Sequence, residues 1–296
     1  MRKIHVVINP ASGQPQPILH TLNRVFRAGK VDWDISLTKK SGDAERFARQ
    51  AAAEGADVVA AYGGDGTVME VARGLLNCTV PLAILPGGTA NLMSVELGIP
   101  KDLEQAANIA CSNQSQIRQV DVGKARDTYF LLRVGLGFAA RKVKLADRKL
   151  KDKFGIMAYT IAGLKALAQT KSAHYRIILD GRTFEVDGLT CLVDNAGNMG
   201  VSGIAPARNI SISDGLLDIF LITDPSFSSL VDIGVSLVDK KAPDSYIHWQ
   251  AREIEIQCDP PESIQIDGEI AGETPISIQV IPQALRVLTP ASSKAD

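Results

Sequence analysis

The first 125 residues alternate between short apolar runs and segments whose apolar positions have a helical spacing. Apolar runs of about five residues, bounded by Gly, Pro or Asn, are typical of buried strands, whereas a 3.6-residue period is typical of amphipathic helices. The predicted elements are strand Ile4–Ile8, helix Ile18–Arg27, strand Trp33–Thr38, helix Ala44–Glu54, strand Val58–Tyr62, helix Val68–Leu76 and strand Pro81–Leu85. This alternation predicts a parallel sheet with helices on both of its faces.

The pattern changes past about residue 172, where short β-like stretches are separated by Gly, Asp and Pro. The predicted strands are Tyr175–Leu179, Thr183–Val186, Thr190–Val193, Leu217–Leu221, Glu253–Gln257, Ser263–Ile266, Ile276–Ile281 and Leu285–Leu288. Such spacing predicts an antiparallel β-sandwich or curled sheet. We therefore expect an α/β domain over 1–125 and a β-rich domain over 126–296, with a cleft between them. The last strand, at about 284–290, is expected to return to the first domain.

Composition narrows the class of protein. A chain of 296 residues is long enough for two cores, and a net charge of −1 gives no overall field that would favour nucleic acid. The four cysteines form no Cys-x-x-Cys pair, which argues against a zinc site and suits a reducing cytosol. No apolar run approaches the length of about 18 residues that a membrane-spanning helix needs. These features predict a cytoplasmic protein that could contact a membrane only at its surface.

The sequence Gly63-Gly64-Asp65-Gly66-Thr67 lies directly between a predicted strand and a predicted helix. Glycines let the backbone approach a phosphate chain closely, and the following helix offers unpaired N–H groups to the same anion. An aspartate in such a loop would repel phosphate unless a cation or a reacting hydroxyl lay between them. The loop therefore predicts a site for a nucleotide and a divalent metal, although Asp65 could instead cap the helix.

Two further loops strengthen this interpretation. Pro86-Gly87-Gly88-Thr89-Ala90-Asn91 follows the next predicted strand, and Asn9-Pro10-Ala11-Ser12-Gly13 follows the first. In an open parallel sheet these loops leave the same carboxyl edge, where ligands bind. We expect the three loops to form one cradle, in which Thr67 and Thr89 offer hydroxyl groups to phosphate or ribose.

The ordered set of motifs resembles the diacylglycerol kinase catalytic family, which includes bacterial soluble lipid kinases and relatives of sphingosine and ceramide kinases. The resemblance runs almost from end to end. Besides the three loops, the matching motifs are Thr38 with Ser41-Gly42-Asp43-Ala44, Glu70-Val71, Val120-Asp121-Val122-Gly123, Ser213-Asp214-Gly215-Leu216-Leu217-Asp218 and Ile266-Asp267-Gly268-Glu269. The string Gly-Gly-Asp-Gly-Thr alone is shared with NAD kinases, so the ordered set is the specific signal.

The resemblance implies an ATP- and Mg²⁺-dependent kinase that phosphorylates a lipid hydroxyl. The residues expected to contact the nucleotide are Asn9, Thr38, Gly63, Gly64, Asp65, Gly66, Thr67, Gly88 and Thr89. The family places its proton acceptor at the position of Glu269, and Asp65 is the second expected catalytic residue. The resemblance also implies a structural Mg²⁺ held by Asp214 and by backbone oxygens of Ser211 and Leu216. Asp121 is expected to support a metal or water network with Asp65.

The acceptor lipid is expected at the membrane surface. Seven basic residues lie between Arg141 and Lys153, and an apolar helix is predicted directly after them, from Phe154 to Leu167. Basic residues beside an amphipathic helix suit anionic headgroups, at about 1 kcal/mol for each Lys or Arg near the surface. A solvated helix face is the alternative for this run. A second copy of the chain is a further candidate partner.

Two alternative functions stay open at this point. An NAD kinase-like small-molecule kinase would share the glycine loop, although Leu92 replaces the second residue of its Asn-Asp acceptor motif. A nucleotide- or lipid-binding regulator without catalysis is the other alternative. Met69, Leu92 and Ala139 depart from the family pattern near the acceptor, whereas Asp65 and Glu269 keep it.

Overall fold

The computed structural model describes residues 1–13, 16–137, 171–197, 210–223 and 246–291. These residues divide into two compact units. The first takes 1–121 and 282–291, and the second takes 122–197, 210–223 and 246–281. The basic run Arg141–Lys153, the helix predicted after it and the departure at Ala139 lie outside the described residues.

The first unit is an α/β layer structure. Its elements are β1 (Lys3–Ile8), α1 (Ile18–Ala28), β2 (Asp32–Leu37), α2 (Asp43–Ala53), β3 (Val58–Gly63), α3 (Asp65–Leu75), β4 (Leu82–Pro86), α4 (Leu92–Glu96) and α5 (Leu103–Cys111). The sheet order β2-β1-β3-β4 is parallel throughout. Every residue of β3 and β4 is buried, which is why these strands read as continuous apolar runs.

The second unit contains two antiparallel sheets. Its strands are β5 (Gln116–Ala125, which begins in the first unit), β6 (Thr128–Phe130), β7 (Arg133–Gly137), β8 (Ala173–Leu179), β9 (Arg182–Gly188), β10 (Thr190–Asp194), β11 (Leu217–Ile222), β12 (Tyr246–Ala251), β13 (Glu253–Asp259), β14 (Ser263–Ile266), β15 (Glu269–Glu273) and β16 (Ile276–Thr289, which ends in the first unit). One sheet has the order β16-β13-β8-β9 and the other has the order β12-β11-β10-β7-β14-β15. Alternate residues of both sheets form one core, with Tyr175, Ile177, Val193, Ile219 and Ile256 among its fully buried members. The parallel α/β sheet and the β-sandwich confirm the predicted fold class.

The C-terminal strand differs from its prediction. The two short strands expected at Ile276–Ile281 and Leu285–Leu288 are parts of the single strand β16, which continues through Pro282. Gln283 has a φ of 52°, and its N–H donates to the carboxylate of Asp121 at 2.7 Å. This side-chain acceptor satisfies the backbone at an irregular position, so the strand continues to pair beside β4 through Val287.

Candidate functional site

Three loops leave the carboxyl ends of β1, β3 and β4 in the first unit. We call them loop A (9–13), loop B (63–67) and loop C (86–91). Loop B is a very tight connection, because only Gly64 separates the end of β3 from the start of α3. The strand register places Gly63 directly beside Pro86, so loops B and C start side by side.

Loops B and C touch through their backbones. The N–H of Gly87 donates to the carbonyl of Gly63 at 2.8 Å. A Cβ placed on Gly88 would lie 2.5 Å from the Cα of Gly64, and one placed on Gly87 would lie 2.8 Å from the Tyr62 ring. Both distances are far inside van der Waals contact, so the glycines are required by the fold itself as well as by any ligand.

Loop A joins the other two loops. The side-chain amide of Asn9 donates to the Thr67 hydroxyl at 3.0 Å, and its backbone N–H donates to the Tyr62 carbonyl at 3.0 Å. Gly13 has a φ of +80°, and a Cβ there would lie 2.1 Å from the carbonyl oxygen of Gly87. The structure therefore brings the predicted residues of all three loops together. Thr38 directly follows β2, and its N–H donates to the Ile8 carbonyl, immediately before loop A.

Asn91 shapes loop C. It is buried, has a φ of 50°, accepts from the N–H of Gly88 at 2.9 Å and donates to the Gly88 carbonyl at 2.8 Å. Asparagine is one of the few residues that tolerate this left-handed backbone conformation. The sequence identified Asn91 only as a motif residue and gave it no role. Its position three residues after a Gly-Gly pair was the available signal.

Asp65 does not cap the helix that it begins. The N-cap of α3 is Gly64, and no side chain caps this helix. The half-buried Asp65 carboxylate instead accepts from the N–H of Met93, in the first turn of α4, at 3.3 Å. Burial raises the pKa of Asp65, although N–H groups of residues 91–93 act in the opposite direction. A cation beside this carboxylate would therefore favour its charged form strongly.

Glu70 has a structural role that the sequence did not reveal. One of its carboxylate oxygens accepts from the N–H groups of Gly42 and Ala44, at 3.0 and 3.2 Å, and the other accepts from the Ser41 hydroxyl at 3.2 Å. The N–H groups of Gly42 and Ala44 lie at the N-terminus of α2, so Glu70 on α3 caps a different helix. The motif Ser41-Gly42-Asp43-Ala44 is thereby fastened to the helix that follows loop B.

Glu269 lies in the second unit, as the first residue of β15, with its side chain exposed. Asp267 and Gly268 form the two-residue connection between β14 and β15, with φ values of 44° and 97°. Positive φ at both positions is the type I′ hairpin geometry, for which Asp-Gly is a preferred sequence. The turn thus presents the Glu269 carboxylate at the end of a hairpin.

Asp267 fixes this turn to β7. Its carboxylate accepts from the N–H groups of Leu131, Leu132 and Arg133 at 2.9, 3.0 and 2.9 Å. Burial raises the pKa of Asp267 in spite of these three donors. The sequence did not predict this role, because the donors lie more than 130 residues earlier in the chain.

The predicted metal ligands occupy different places. Asp214 is exposed, and its carboxylate accepts from the N–H of Leu216 at 3.1 Å in the turn before β11. Ser211 lies in the same turn, and its hydroxyl accepts from the Ser213 N–H. Asp121 is fully buried in the first unit, where it holds Gln283. In the described part of the chain, no three His, Cys, Asp or Glu side chains lie close enough to hold a metal ion.

A row of polar side chains crosses the second sheet and has no signal in the sequence. Asp194 lies opposite Arg133 on β7 and opposite Asp218 on β11, and both aspartates are buried. The Arg133 guanidinium is 3.5 Å from Asp194, and His248 Nε2 is 2.6 Å from Asp218. The Arg133 guanidinium brings a positive charge to buried Asp194, and the His248 imidazole gives Asp218 a hydrogen-bond partner. Arg133, Asp194 and Asp218 are in register, and His248 reaches Asp218 diagonally from β12, so this row becomes visible only once the sheet is assembled.

The length and hydropathy of the described helices bear on whether the chain could span a membrane. None of the helices in the ranges that the structure describes is long and apolar enough to cross a membrane.

Comparison with known proteins identifies both units. Residues 3–125 match the diacylglycerol kinase catalytic domain, and residues 133–289 match the YegS C-terminal NAD kinase beta sandwich-like domain. A Staphylococcus haemolyticus protein named "Putative lipid kinase SH2167" is 32% identical over 86% of this chain and 85% of its own length. A Synechocystis protein, sll0036, is 30% identical over 97% of this chain and 70% of its own length.

Solved structures agree with these matches. A Bacillus anthracis structure titled as that of "a putative diacylglycerol kinase" has a TM-score of 0.81 and 27% identity, with 97% of each chain covered. The catalytic-domain match, the similarity to the staphylococcal protein and the shared two-unit fold all lead to one assignment. The chain belongs to the lipid kinase family that carries the diacylglycerol kinase catalytic domain.

Proposed function

We propose that the protein transfers the γ-phosphoryl group of ATP, with Mg²⁺, to a hydroxyl of a diacylglycerol-like or sphingoid-like lipid at the membrane surface. The observation that carries this proposal is the backbone contact between loops B and C. Two glycine loops packed without side chains leave main-chain groups as the surface that faces a ligand. Together with the N-terminus of α3, they suit the phosphate chain of a nucleotide.

The nucleotide would contact loops A, B and C and Thr38. Gly66 and Thr89 are exposed, and the Thr67 hydroxyl accepts from Asn9, so its own proton can be donated to phosphate. The amide of Asn9 thus orients a hydroxyl that would otherwise rotate. These loops bind and orient the donor, and positioning is the main part of catalysis in phosphoryl transfer.

Mg²⁺ fits the chemistry of the proposed ligands. The Asp65 carboxylate, and at a separate place the Asp214 carboxylate with the backbone oxygens of Ser211 and Leu216, are hard oxygen donors of the kind that this ion prefers. Asp121 would act only indirectly, because it is fully buried and its carboxylate accepts from the Gln283 N–H. When bound with ATP, the ion would neutralise charge on the phosphate oxygens. A nearby cation would favour the charged form of the half-buried Asp65 carboxylate, whose pKa is raised by burial.

Glu269 is the proposed general base. Its exposed carboxylate, held at the end of the β14–β15 hairpin, would accept the proton of the lipid hydroxyl. The hydroxyl oxygen then forms a bond to the γ-phosphorus, while the bond from that phosphorus to the bridging oxygen breaks. ADP leaves with the electron pair, and the products are a phosphorylated lipid and protonated Glu269. Membrane contact is proposed for the Arg141–Lys153 run and the helix that the sequence predicts after it, at the cytoplasmic surface.

The test is transfer of radiolabel from [γ-³²P]ATP to mixed-lipid vesicles and, in parallel, to NAD. Wild type should label extracted lipid. Glu269→Gln should lower kcat by about 10²- to 10⁴-fold while ATP binding is retained, as expected for loss of a general base. Asp65→Asn should abolish labelling.

Glu273→Gln is the matched control, because Glu273 is an exposed carboxylate at the other end of the same strand. It should keep wild-type kcat. Label on NAD would instead support a small-molecule kinase, and absence of label on every acceptor would support a binding protein; either outcome contradicts the proposal.

A further inference from the structure

Strand β15, which carries Glu269, receives little support from its sheet. Among the described strands, it pairs only with β14. The register shifts by one residue between Ile270 and Glu273, so two residues of β15 lie opposite a single residue of β14. Such a bulge disrupts the hydrogen-bond ladder locally, and a short edge strand with an interrupted ladder opens more readily than a central strand. The position of Glu269 therefore depends on contacts outside the ladder.

Arg126, in the turn between β5 and β6, binds the far end of β15. Its guanidinium donates to the carbonyls of Ala271 and Pro275, at 2.9 Å in each case, and to the carbonyl of Glu273. Its backbone N–H donates to the carbonyl of Ser277 at 3.2 Å. A guanidinium presents five N–H donors in a rigid planar fork, so one side chain can serve three carbonyls at once.

The bulge in β15 leaves room for this guanidinium. Gly272 has a φ of +90°, and a Cβ placed on it would lie 3.1 Å from Arg126 Nη1. A positive φ and so close a neighbour both favour glycine at this position. The absence of a side chain lets the Arg126 guanidinium reach the carbonyls on either side of Gly272.

Two side chains of opposite chemistry thus fix the two ends of this strand. At the turn, the Asp267 carboxylate accepts from three N–H groups, and at the far end Arg126 donates to three carbonyls. Glu269 lies between the two ends. The nearest carbonyl that Arg126 binds, that of Ala271, is about 7 Å along the strand from Glu269, at about 3.4 Å per residue. Through these contacts Arg126 acts on the position of the strand and not on the reacting atoms.

We infer that Arg126 is a positioning residue for Glu269, an inference that rests on the role of general base proposed above. By holding the far end of β15, Arg126 keeps the Glu269 carboxylate where it can accept the proton of the acceptor hydroxyl. Without Arg126 the strand pivots about the turn that Asp267 holds. A misplacement of about 1 Å costs about a hundredfold in rate, and with one of the two ends still held we expect a loss of about tenfold.

A double-mutant cycle tests this role, with labelled ATP and mixed vesicles of diacylglycerol, sphingosine and phosphatidylglycerol. Arg126→Ala should lower kcat about tenfold and leave the KM for ATP unchanged. In the Glu269→Gln background the same substitution should change kcat by less than about twofold, because a residue that no longer accepts a proton loses nothing further when it is displaced. Arg126→Lys should recover about threefold of the loss, because an ammonium group can still donate to part of this carbonyl set.

Arg2→Ala is the matched control, because the Arg2 guanidinium also binds backbone carbonyls, those of Ala110 and Ser112 in the first unit, at 3.0 and 3.1 Å. It should keep wild-type kcat. All variants are assayed below their measured melting temperatures, and if Arg126→Ala does not fold, the same cycle with Arg126→Lys decides.

The outcomes separate this inference from the proposed function. Wild-type kcat in the folded Arg126 variant, or an equal loss in both backgrounds, would overturn the role of Arg126 and leave Glu269 as the base. Wild-type kcat in Glu269→Gln would contradict the proposed base itself, and the inference with it.

Discussion

The loops of the first unit and the β14–β15 hairpin of the second are built in different ways. In the first unit, loops B and C meet through glycine backbones, and a Cβ on Gly88 would come within 2.5 Å of Gly64. In the second unit, the turn that carries Glu269 is held by one carboxylate, Asp267, which accepts three N–H groups. One structure depends on the absence of side chains and the other depends on the presence of one.

This difference predicts different responses to mutation. Backbone packing has no tolerance for an added methyl group, because main-chain atoms cannot rotate away. A carboxylate that accepts hydrogen bonds can be replaced in part by an amide, which keeps one acceptor oxygen and the same shape. We therefore expect an abrupt response in the loops and a graded response in the hairpin.

The largest effect is expected for Gly88→Ala. The new Cβ must separate loop C from loop B, which would move the proposed nucleotide contacts by a substantial part of an ångström. Displacements of that size cost about a hundredfold in activity, so kcat/KM for ATP should fall at least that far. Steady-state kinetics with ATP as the varied substrate gives this value.

Gly55→Ala is the control for backbone strain. Gly55 has a φ of +82° after α2, and nothing lies within 4 Å of its Cβ position. This variant should lose about 1 kcal/mol of stability and keep wild-type kinetics. If Gly88→Ala also keeps wild-type kinetics, the contact between the loops does not position the nucleotide.

An intermediate effect is expected at Asp267. Asp267→Ala leaves three buried N–H groups without an acceptor, at about 1–3 kcal/mol each, and releases the turn that carries Glu269. We expect kcat to fall about a hundredfold, with the KM for ATP unchanged. Asp267→Asn should recover about tenfold of that loss, because one oxygen can still serve Leu132 and Arg133. The split between kcat and KM separates this role from a general loss of fold.

Asp180 offers a matched control within the same unit. It also has a positive φ, 47°, and its carboxylate accepts from the N–H groups of Arg252 and Glu253. Asp180→Ala should lower the melting temperature and leave kcat unchanged. Equal losses of kcat in the two alanine variants would mean that Asp267 acts through stability alone.

The same contrast explains what the sequence could predict. Loops A, B and C were found because each is a local Gly-rich motif after an apolar run, and parallel topology brings such loops to one edge. The roles of Asp267 and Glu70 were not found, because their donors belong to distant or different elements. The row from Arg133 to His248 was not predicted either, because contacts between side chains on neighbouring strands leave no local pattern in the sequence. The sequence also did not predict that the last two strands form the single strand β16. The acceptor for the Gln283 N–H is Asp121, which lies far away in the chain.

The smallest effect is expected at Asp43, whose contacts are as local as those of the loops. The N–H of Lys39, the Arg46 guanidinium and the N–H of Lys40 lower the pKa of Asp43 to about 2. In the unfolded chain this pKa is 3.8, so the folded state binds fewer protons between these values. The contribution of Asp43 to stability is therefore complete above about pH 4 and is lost as the pH falls through about 2.

Asp43→Asn should lower the melting temperature by a few degrees at neutral pH, and the difference from wild type should shrink towards zero as the pH approaches 2. Thermal unfolding of both proteins across this range measures it. A melting-temperature difference that is the same at every pH would mean that the charge of the Asp43 carboxylate contributes nothing to these hydrogen bonds. The motif around Asp43 would then act through its shape alone, as the glycine loops do.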